Sequence, residues 1–435
     1  MLAKPAVSQE PDRASLEAQK NQLFQKLLAD PSNLDVAFAY ADVSARLGDN
    51  EAAVSALEEM LLYNPDLPRV DLELGALYFR MGAFDIAKSY FDKAASHHPP
   101  AEVQNRIDEY LALIAQQTAK THFSGYVFLG TQYQSDANVA PGSGTIASPV
   151  GPVLLSNQFV KETDFDFFAN SSVLYTYDFG DQNHDTFEVG GTAIASHYLK
   201  VGRLDLDFAE VTAGPRFRFP ELPDTVVAAP TLKPYAIANE VGLGEHQYFD
   251  TYGGGLEATG TVLDDIALRA AFEFRRKTFT NAPDRPLSTG LTGSDKVVAF
   301  AATKPLPLNS TLTLEFDYVD QQTRLDYYTN QSYAAAATYH IRYEGPAGIF
   351  HHPMETSAYV NRLYSIYAAS DPCCMTGSGL SSRDDRRWRF GIIEGMQVAS
   401  NVELILQVER DVVSSNLSLY RYTSNSVVVG PQIKF

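Results

Sequence analysis

The side chains able to do covalent or metal chemistry are few and scattered. Histidines stand at positions 97, 98, 122, 184, 197, 246, 340, 351 and 352, none beside a Ser or Asp motif that would make a nucleophile–base pair. His351 and His352 fall at an expected inner turn, which reads as a solvated pair rather than two metal ligands. Cys373 and Cys374 are adjacent, so they give neither a disulfide framework nor zinc spacing. A vicinal disulfide and two loop thiols both remain open, and no thiolate-activating motif surrounds them. Asp181-Gln182-Asn183-His184-Asp185 imitates the start of a calcium loop, but Thr186 replaces the required Gly and no Glu follows at the twelfth position. It reads as a polar turn. No Walker A loop, dinucleotide fingerprint or HExxH occurs. The expectation is a chain without catalytic residues, metal or cofactor.

The charges embedded in apolar alternation say more. Arg216, Arg218, Glu273, Arg275, Arg386, Arg387 and Arg389 fall in segments that alternate between apolar and polar side chains. If such segments line a membrane barrel, an unpaired charge at the lipid midplane costs about 2–4 kcal/mol, so most of these side chains are expected to face the interior. Glu315, Asp317, Glu403 and Glu409 are suitable carboxylate partners by the same alternation. Either a salt-bridged, partly filled interior or a substrate path satisfies this pattern.

The elements that must hold these residues divide the chain near residue 120. After Thr121 the texture is Tyr, Phe, Val, Thr and Gly in alternation. Leu312, Leu314, Phe316 and Tyr318 alternate with Thr311, Thr313, Glu315 and Asp317, and Val402, Leu404, Leu406 and Val408 alternate with Glu403, Gln407 and Glu409. A period of two puts each set on one face of a strand. Fourteen such runs start near Thr121, Lys161, Thr186, Leu206, Thr231, Tyr248, Ile266, Asp295, Ser310, Gln331, His352, Arg383, Val402 and Tyr420. They predict an antiparallel, even-stranded transmembrane barrel over 121–435. With the first strand rising from the periplasm, the long connections 137–160, 282–294 and 370–382 fall outside, Ser143 among them, and short ones such as that at Asp265 fall inside. Trp388, with Tyr and Phe at strand ends, suits an aromatic girdle. The last residues alternate and finish on Ile433 and Phe435, resembling the C-terminal signal read by the barrel-assembly machinery of bacterial outer membranes.

Residues 14–120 predict a helical domain, with residues 1–13 a flexible N-terminus. Pro31, Pro65 and Pro99 are spaced 34 apart, the length of a tetratricopeptide repeat, a pair of antiparallel helices. The unit from Pro68 to Pro99 carries Gly75 and Tyr78 in its first helix, Gly82 at the turn, and Ala87, Phe91 and Ala94 in its second. Gly75 and Ala87 are small where helices approach, and Tyr78 and Phe91 fill the space between pairs. The preceding unit keeps Ala41, Ala53, Leu57 and Pro65, and Ala101 to Lys120 reads as a capping helix.

Composition bounds the function. The 435 residues carry a net charge of −19, against the basic face a nucleic-acid partner needs. No run of 18 apolar residues exists to form a membrane-spanning helix, and a mean hydropathy of −0.18 is compatible with alternating strands. Met1 to Asp12 shows no apolar core of a secretory signal, so an exported chain would be a processed one.

A short tetratricopeptide array before a barrel ending in Phe resembles the surface lipoprotein assembly modifier family. The stretches Gly125-Tyr126-Val127-Phe128-Leu129-Gly130-Thr131-Gln132-Tyr133-Gln134-Ser135-Asp136-Ala137-Asn138 and Ala213-Gly214-Pro215-Arg216 support the likeness. The resemblance implies an outer-membrane translocon whose periplasmic repeats receive a client protein, a surface lipoprotein or adhesin, that the barrel helps to display. No catalytic residue carries over. The expected partners are outer-membrane lipid, the client and the barrel-assembly machinery, with no nucleic acid. The alternative is an exopolysaccharide-export porin, similar to the cellulose and poly-N-acetylglucosamine exporters, or a barrel that anchors a periplasmic scaffold. An interior lined by aromatics and carboxylates favours the polysaccharide; a plugged interior or a lateral seam favours the protein.

Overall fold

Proline spacing and small-residue placement generate the helices in pairs. The computed structural model describes residues 13–435 apart from 143, 149–150, 157–158, 221–226, 264, 346–352 and 377–378. The chain divides into two compact units, Met1–Ala119 and Lys120–Phe435. In the first, α1 (Arg13–Ala29) precedes the pair α2 (Leu34–Arg46) and α3 (Asn50–Tyr63), then the pair α4 (Pro68–Arg80) and α5 (Phe84–Ser96), and finally α6 (Ala101–Gln117). Each pair turns on a glycine in the left-handed region, Gly48 at φ 83° and Gly82 at φ 75°, one 34-residue period apart. Asn33 and Asp49 cap α2 and α3 through side-chain bonds to Val36 and Ala52 backbone N–H groups. Leu57, Leu74, Phe91 and Ile107 are buried between the helices. The reason for Gly75 differs from the expected helix–helix approach: a Cβ there would stand 2.8 Å from the Phe91 ring, so the glycine makes room for an aromatic. Phe91 in turn stacks on Tyr110 of α6 at 4.8 Å.

The second unit is a closed antiparallel barrel of fourteen strands. Strand β1 (Thr121–Gln134) is followed by a small hairpin, β2 (Thr145–Ser148) and β3 (Gly151–Leu154), outside the barrel wall. The wall continues through β4 (Asp164–Asp178), β5 (Thr186–Tyr198), β6 (Leu206–Arg218), β7 (Val227–Leu243) and β8 (His246–Val262). Next come β9 (Ile266–Phe279), β10 (Gly293–Leu306), β11 (Ser310–Thr323) and β12 (Asn330–Glu344). The last four are β13 (Pro353–Thr376), β14 (Gly379–Ala399), β15 (Val402–Ser415) and β16 (Tyr422–Lys434), and β16 closes on β1. Closure leaves the described barrel wall without a free edge, which a membrane interior demands.

One connection departs from expectation. Residues 370–382, read as a long loop, continue as ladder in β13 and β14 around residues 377–378. Register shifts between Ile366 and Ser370 and between Ser370 and Met375 break the period of two there, so alternation ends before the strand does. Ser143, His351 and His352 lie outside the described residues, as do residues 1–12 and the side chains of Cys373 and Cys374.

Candidate functional site

Strand alternation gives the wall two chemically distinct faces. Phe167, Phe272, Phe300, Phe316, Phe390 and Val408 share one face and are exposed on it. The other face is concave: its side chains reach past neighbouring strands, as Arg216 on β6 does to Glu257 on β8 at 2.8 Å, and Arg275 on β9 to Glu210 on β6 at 3.5 Å. Such contacts form only where strands converge, so this face is the interior and the apolar one is the outer belt. An even-stranded antiparallel barrel with an apolar belt is the outer-membrane construction.

Among the described residues, three groups of interior charges stand out. Between β5 and β9, Arg216 sits on Glu188 at 2.7 Å and on Glu257, Lys233 meets Glu188 at 2.8 Å, and Arg269 meets Glu257 at 2.6 Å. Arg275 holds Glu273 at 2.6 Å, and the Tyr235 hydroxyl donates to the same carboxylate at 2.5 Å. On β13–β16, Arg387 Nε donates to Asp411 at 2.8 Å, Arg389 pairs with Glu409 at 3.3 Å, and Tyr359 donates to Glu409 at 2.5 Å. Near the chain terminus Lys434 meets Glu403 at 2.5 Å and Glu355 at 3.8 Å. Paired in this way the charges offset one another across the wall. No group of three or more His, Cys, Asp or Glu that could hold a metal occurs among the described residues.

Arg216, Arg218, Glu273, Arg275, Glu315, Asp317, Arg387, Arg389, Glu403 and Glu409 all occupy interior register positions. Their partners differ from those expected. Only Glu409 among the four proposed carboxylates binds a named arginine; Glu403 takes Lys434, and Glu315 and Asp317 form no ion pair among the described residues. The main partners are Glu188 and Asp411 from adjacent strands and Glu257, which lies two strands from Arg216 and next to the strand of Arg269. Alternation tells which face a residue occupies, whereas cross-strand register decides what it meets. Arg386 points outward, on the face opposite Arg387, beside Asp384 at 3.5 Å.

Aromatic and neutral polar side chains also line the interior. Phe128 and Phe168 approach at 6.0 Å between ring centroids. A cavity of about 270 Å³ inside the wall is lined by Tyr126, Phe168, His340, Glu355, Gln407 and Lys434, among others. Arg285 of the β9–β10 connection donates to the Leu243 carbonyl at 2.5 Å and the Arg203 carbonyl at 3.2 Å, tying three connections together at one end.

The first-to-last seam is weaker than its neighbours. Against β4, β1 pairs without a break from Thr121 to Gln134. Against β16 it pairs at Tyr126–Phe128 and again at Thr131–Gln134, with no ladder at Leu129 and Gly130. There Gly430 lies so close that an added Cβ would fall 2.5 Å from the Gly130 Cα, and Pro431 has no N–H to donate. The seam is fastened at its end: Gly125 and Phe435 exchange both backbone bonds, at 2.9 and 3.0 Å, and the Phe435 ring stacks on Phe123 at 5.2 Å. Ile433 points to the outer belt in the same ladder.

In the helical unit, α2 and α4 border a groove of about 370 Å³ with Phe38, Leu57 and Leu77 as apolar lining and Arg46, Arg69 and Arg80 as cations. Asp42 and Glu73 are the acids there, and Arg69 lies over the Phe38 ring at 4.5 Å. Alternation and repeat length gave no residue for this groove; its signal is the recurrence of Arg near the ends of successive first helices. Between α3, α4 and α5, Glu58 accepts from Tyr78 at 2.7 Å and Tyr90 at 3.2 Å. Burial and the Glu58 carboxylate push both phenols up to about 12.

No family model and no curated protein matches the chain. Among solved structures, MamA is 17% identical with a TM-score of 0.21, covering 23% of this chain and 54% of its own. PcrH bound to the chaperone-binding region of PopD is 17% identical with a TM-score of 0.23, covering 24% of this chain and 81% of its own. OprB of Pseudomonas putida is 8% identical with a TM-score of 0.35, covering 75% of this chain and 96% of its own. The chain thus spans about half of MamA. At these scores the likenesses add nothing to the geometry, which by itself gives a tetratricopeptide-like helical array followed by a porin-like fourteen-strand barrel.

Proposed function

We propose that the protein is an outer-membrane translocon or assembly factor that passes a client polypeptide, such as a surface lipoprotein or adhesin, to the cell surface, with its helical unit in the periplasm. This is the activity of the surface lipoprotein assembly modifier family that the sequence resembles. The observation that carries the reading is the short β1–β16 ladder, seven register pairs around the gap at Leu129 and Gly130, where β6–β7 keeps ten around a gap of its own. A lateral opening admits a segment too bulky for an ion-paired interior. The helical groove supports it: an apolar floor between cations suits an extended acidic segment.

The test is a lock. Gln132 and Val428 are register partners across the seam, and opposed strand residues lie within disulfide reach. With Cys373 and Cys374 replaced by Ser, the Q132C/V428C pair should stop client display when oxidised and restore it when reduced. The same bridge between Asn170 and Ile194, partners on β4 and β5, should leave display intact. Display unaffected by the seam lock removes the lateral route.

The second reading, polysaccharide export, is favoured by one observation: Tyr126, Tyr235 and Tyr359 line the interior with Glu273 and Glu409, a surface suited to sugar hydroxyls. Loss of a secreted polysaccharide in the null strain, with protein display unchanged, decides for it.

A further inference from the structure

We propose that the outer face of β13–β15 binds the phosphate of an anionic lipid headgroup through Arg362, Arg386 and Arg410. The inference rests on the barrel spanning a membrane and is independent of what the barrel transports. In the ladder Arg362 stands opposite Trp388, Trp388 opposite Val412, and Arg410 opposite Phe390; Arg386 precedes Trp388 by two on the same face. Strand spacing near 5 Å and a same-face repeat near 7 Å put the three guanidiniums around one aromatic floor. The Arg362 guanidinium lies 5.0 Å from the Trp388 centroid, and Trp388 stacks on Phe390 at 5.8 Å.

Charge on this face is unbalanced. Asp384 is the carboxylate of the patch; it pairs with Arg386 at 3.5 Å and also accepts from the Tyr364 hydroxyl at 2.7 Å. Arg410 meets the neutral Asn425 amide at 3.2 Å, and Arg362 has no carboxylate partner among the described residues. On the inner face of the same strand Arg387 and Arg389 are satisfied by Asp411 and Glu409. Three cations against one anion on a lipid-facing surface call for an anion from the lipid side. The level fits a headgroup: Asn416, just beyond β15, bonds Asp384, and Asn425 bonds Ser135 just beyond β1, so the patch lies toward one rim. A guanidinium fork matches phosphate oxygens, whereas a zwitterionic headgroup would add cationic charge at the site. Clustered cations at the membrane surface hold anionic lipid in this way.

The experiment uses the full chain, folded in micelles containing diphosphorylated lipid A, with bound lipid read by native mass spectrometry. Wild type should retain the lipid. R362Q/R386Q/R410Q should lose it by roughly fivefold per arginine, on the order of a hundredfold in all. K296Q, on the outer face of β10, should retain it as wild type does. Dephosphorylated lipid A should bind wild type no better than the diphosphorylated form binds the triple variant. Heat-modifiable mobility checks folding; should the triple variant misfold, R362Q alone, which strands no carboxylate, should still lose about fivefold. Equal retention by the variant and wild type, or equal retention of the dephosphorylated lipid, overturns the proposal. Complete displacement by excess inorganic phosphate would make this a free-ion site and also overturn it.

Discussion

Arg216 on β6 reaches Glu257 on β8 at 2.8 Å while holding Glu188 on β5 at 2.7 Å and donating to Thr231 on β7 at 3.1 Å, so one side chain ties four strands of the wall together. Removing the far carboxylate leaves Arg216 and Arg269 without their shared counter-ion. E257Q should therefore lower barrel stability by about 1–3 kcal/mol, less than a dry buried pair because Arg269 is half-exposed. Urea unfolding followed by heat-modifiable mobility reads this directly. Adding R216M to E257Q should recover part of the loss; strict additivity would mean that the pair does not act as a unit.

In the helical unit, Gly75→Ala drives a methyl into the fully buried Phe91 ring. Overpacking of that kind costs about 1–3 kcal/mol. Limited proteolysis of the full chain should cut within residues 14–118 at lower protease concentration, with the barrel unaffected. Equal resistance would mean that the ring has room to move.

The phenols at Glu58 set an alkaline limit for the same unit. Both are held near 12 by burial and Glu58, whereas an unfolded tyrosine ionises near 10. A phenol with a raised pKa stabilises the fold fully below about pH 10, and that contribution is lost as pH climbs toward 12. Helical circular dichroism should fall over this window, and Y78F/Y90F should flatten the fall. An identical profile in the double variant would place the alkaline sensitivity elsewhere.

Orientation follows from chain order. Leu287 lies in the long β9–β10 connection and Asp265 in the short β8–β9 turn at the opposite end. With the helical unit periplasmic, a cysteine at Leu287 should react with an impermeant maleimide on intact cells, and one at Asp265 only after lysis. The reverse pattern would invert the barrel.

How much of this was legible in the sequence depends on what each signal encodes. Alternation located strand starts at Thr186, Leu206, Ile266, Ser310 and Val402, because a wall between lipid and polar interior enforces a period of two at every residue. It failed at 370–382, where bulges and the end of the apolar belt release that constraint. It placed Arg387 and Arg389 inside and offered Glu409, which Arg389 meets, but missed Asp411 as the counter-ion of Arg387, since partners are fixed by register between strands. The helical groove was silent for a related reason: Arg46, Arg69 and Arg80 come together only when successive repeats stack.

On the proposed function, the helical half delivers a polypeptide to the barrel. Deleting residues 14–118 and labelling surface proteins on intact cells tests it most directly. The barrel should still fold and insert, with the displayed client lost from the surface and retained inside the cell. Unchanged display of every surface protein, or loss of a secreted polysaccharide alone, would contradict it.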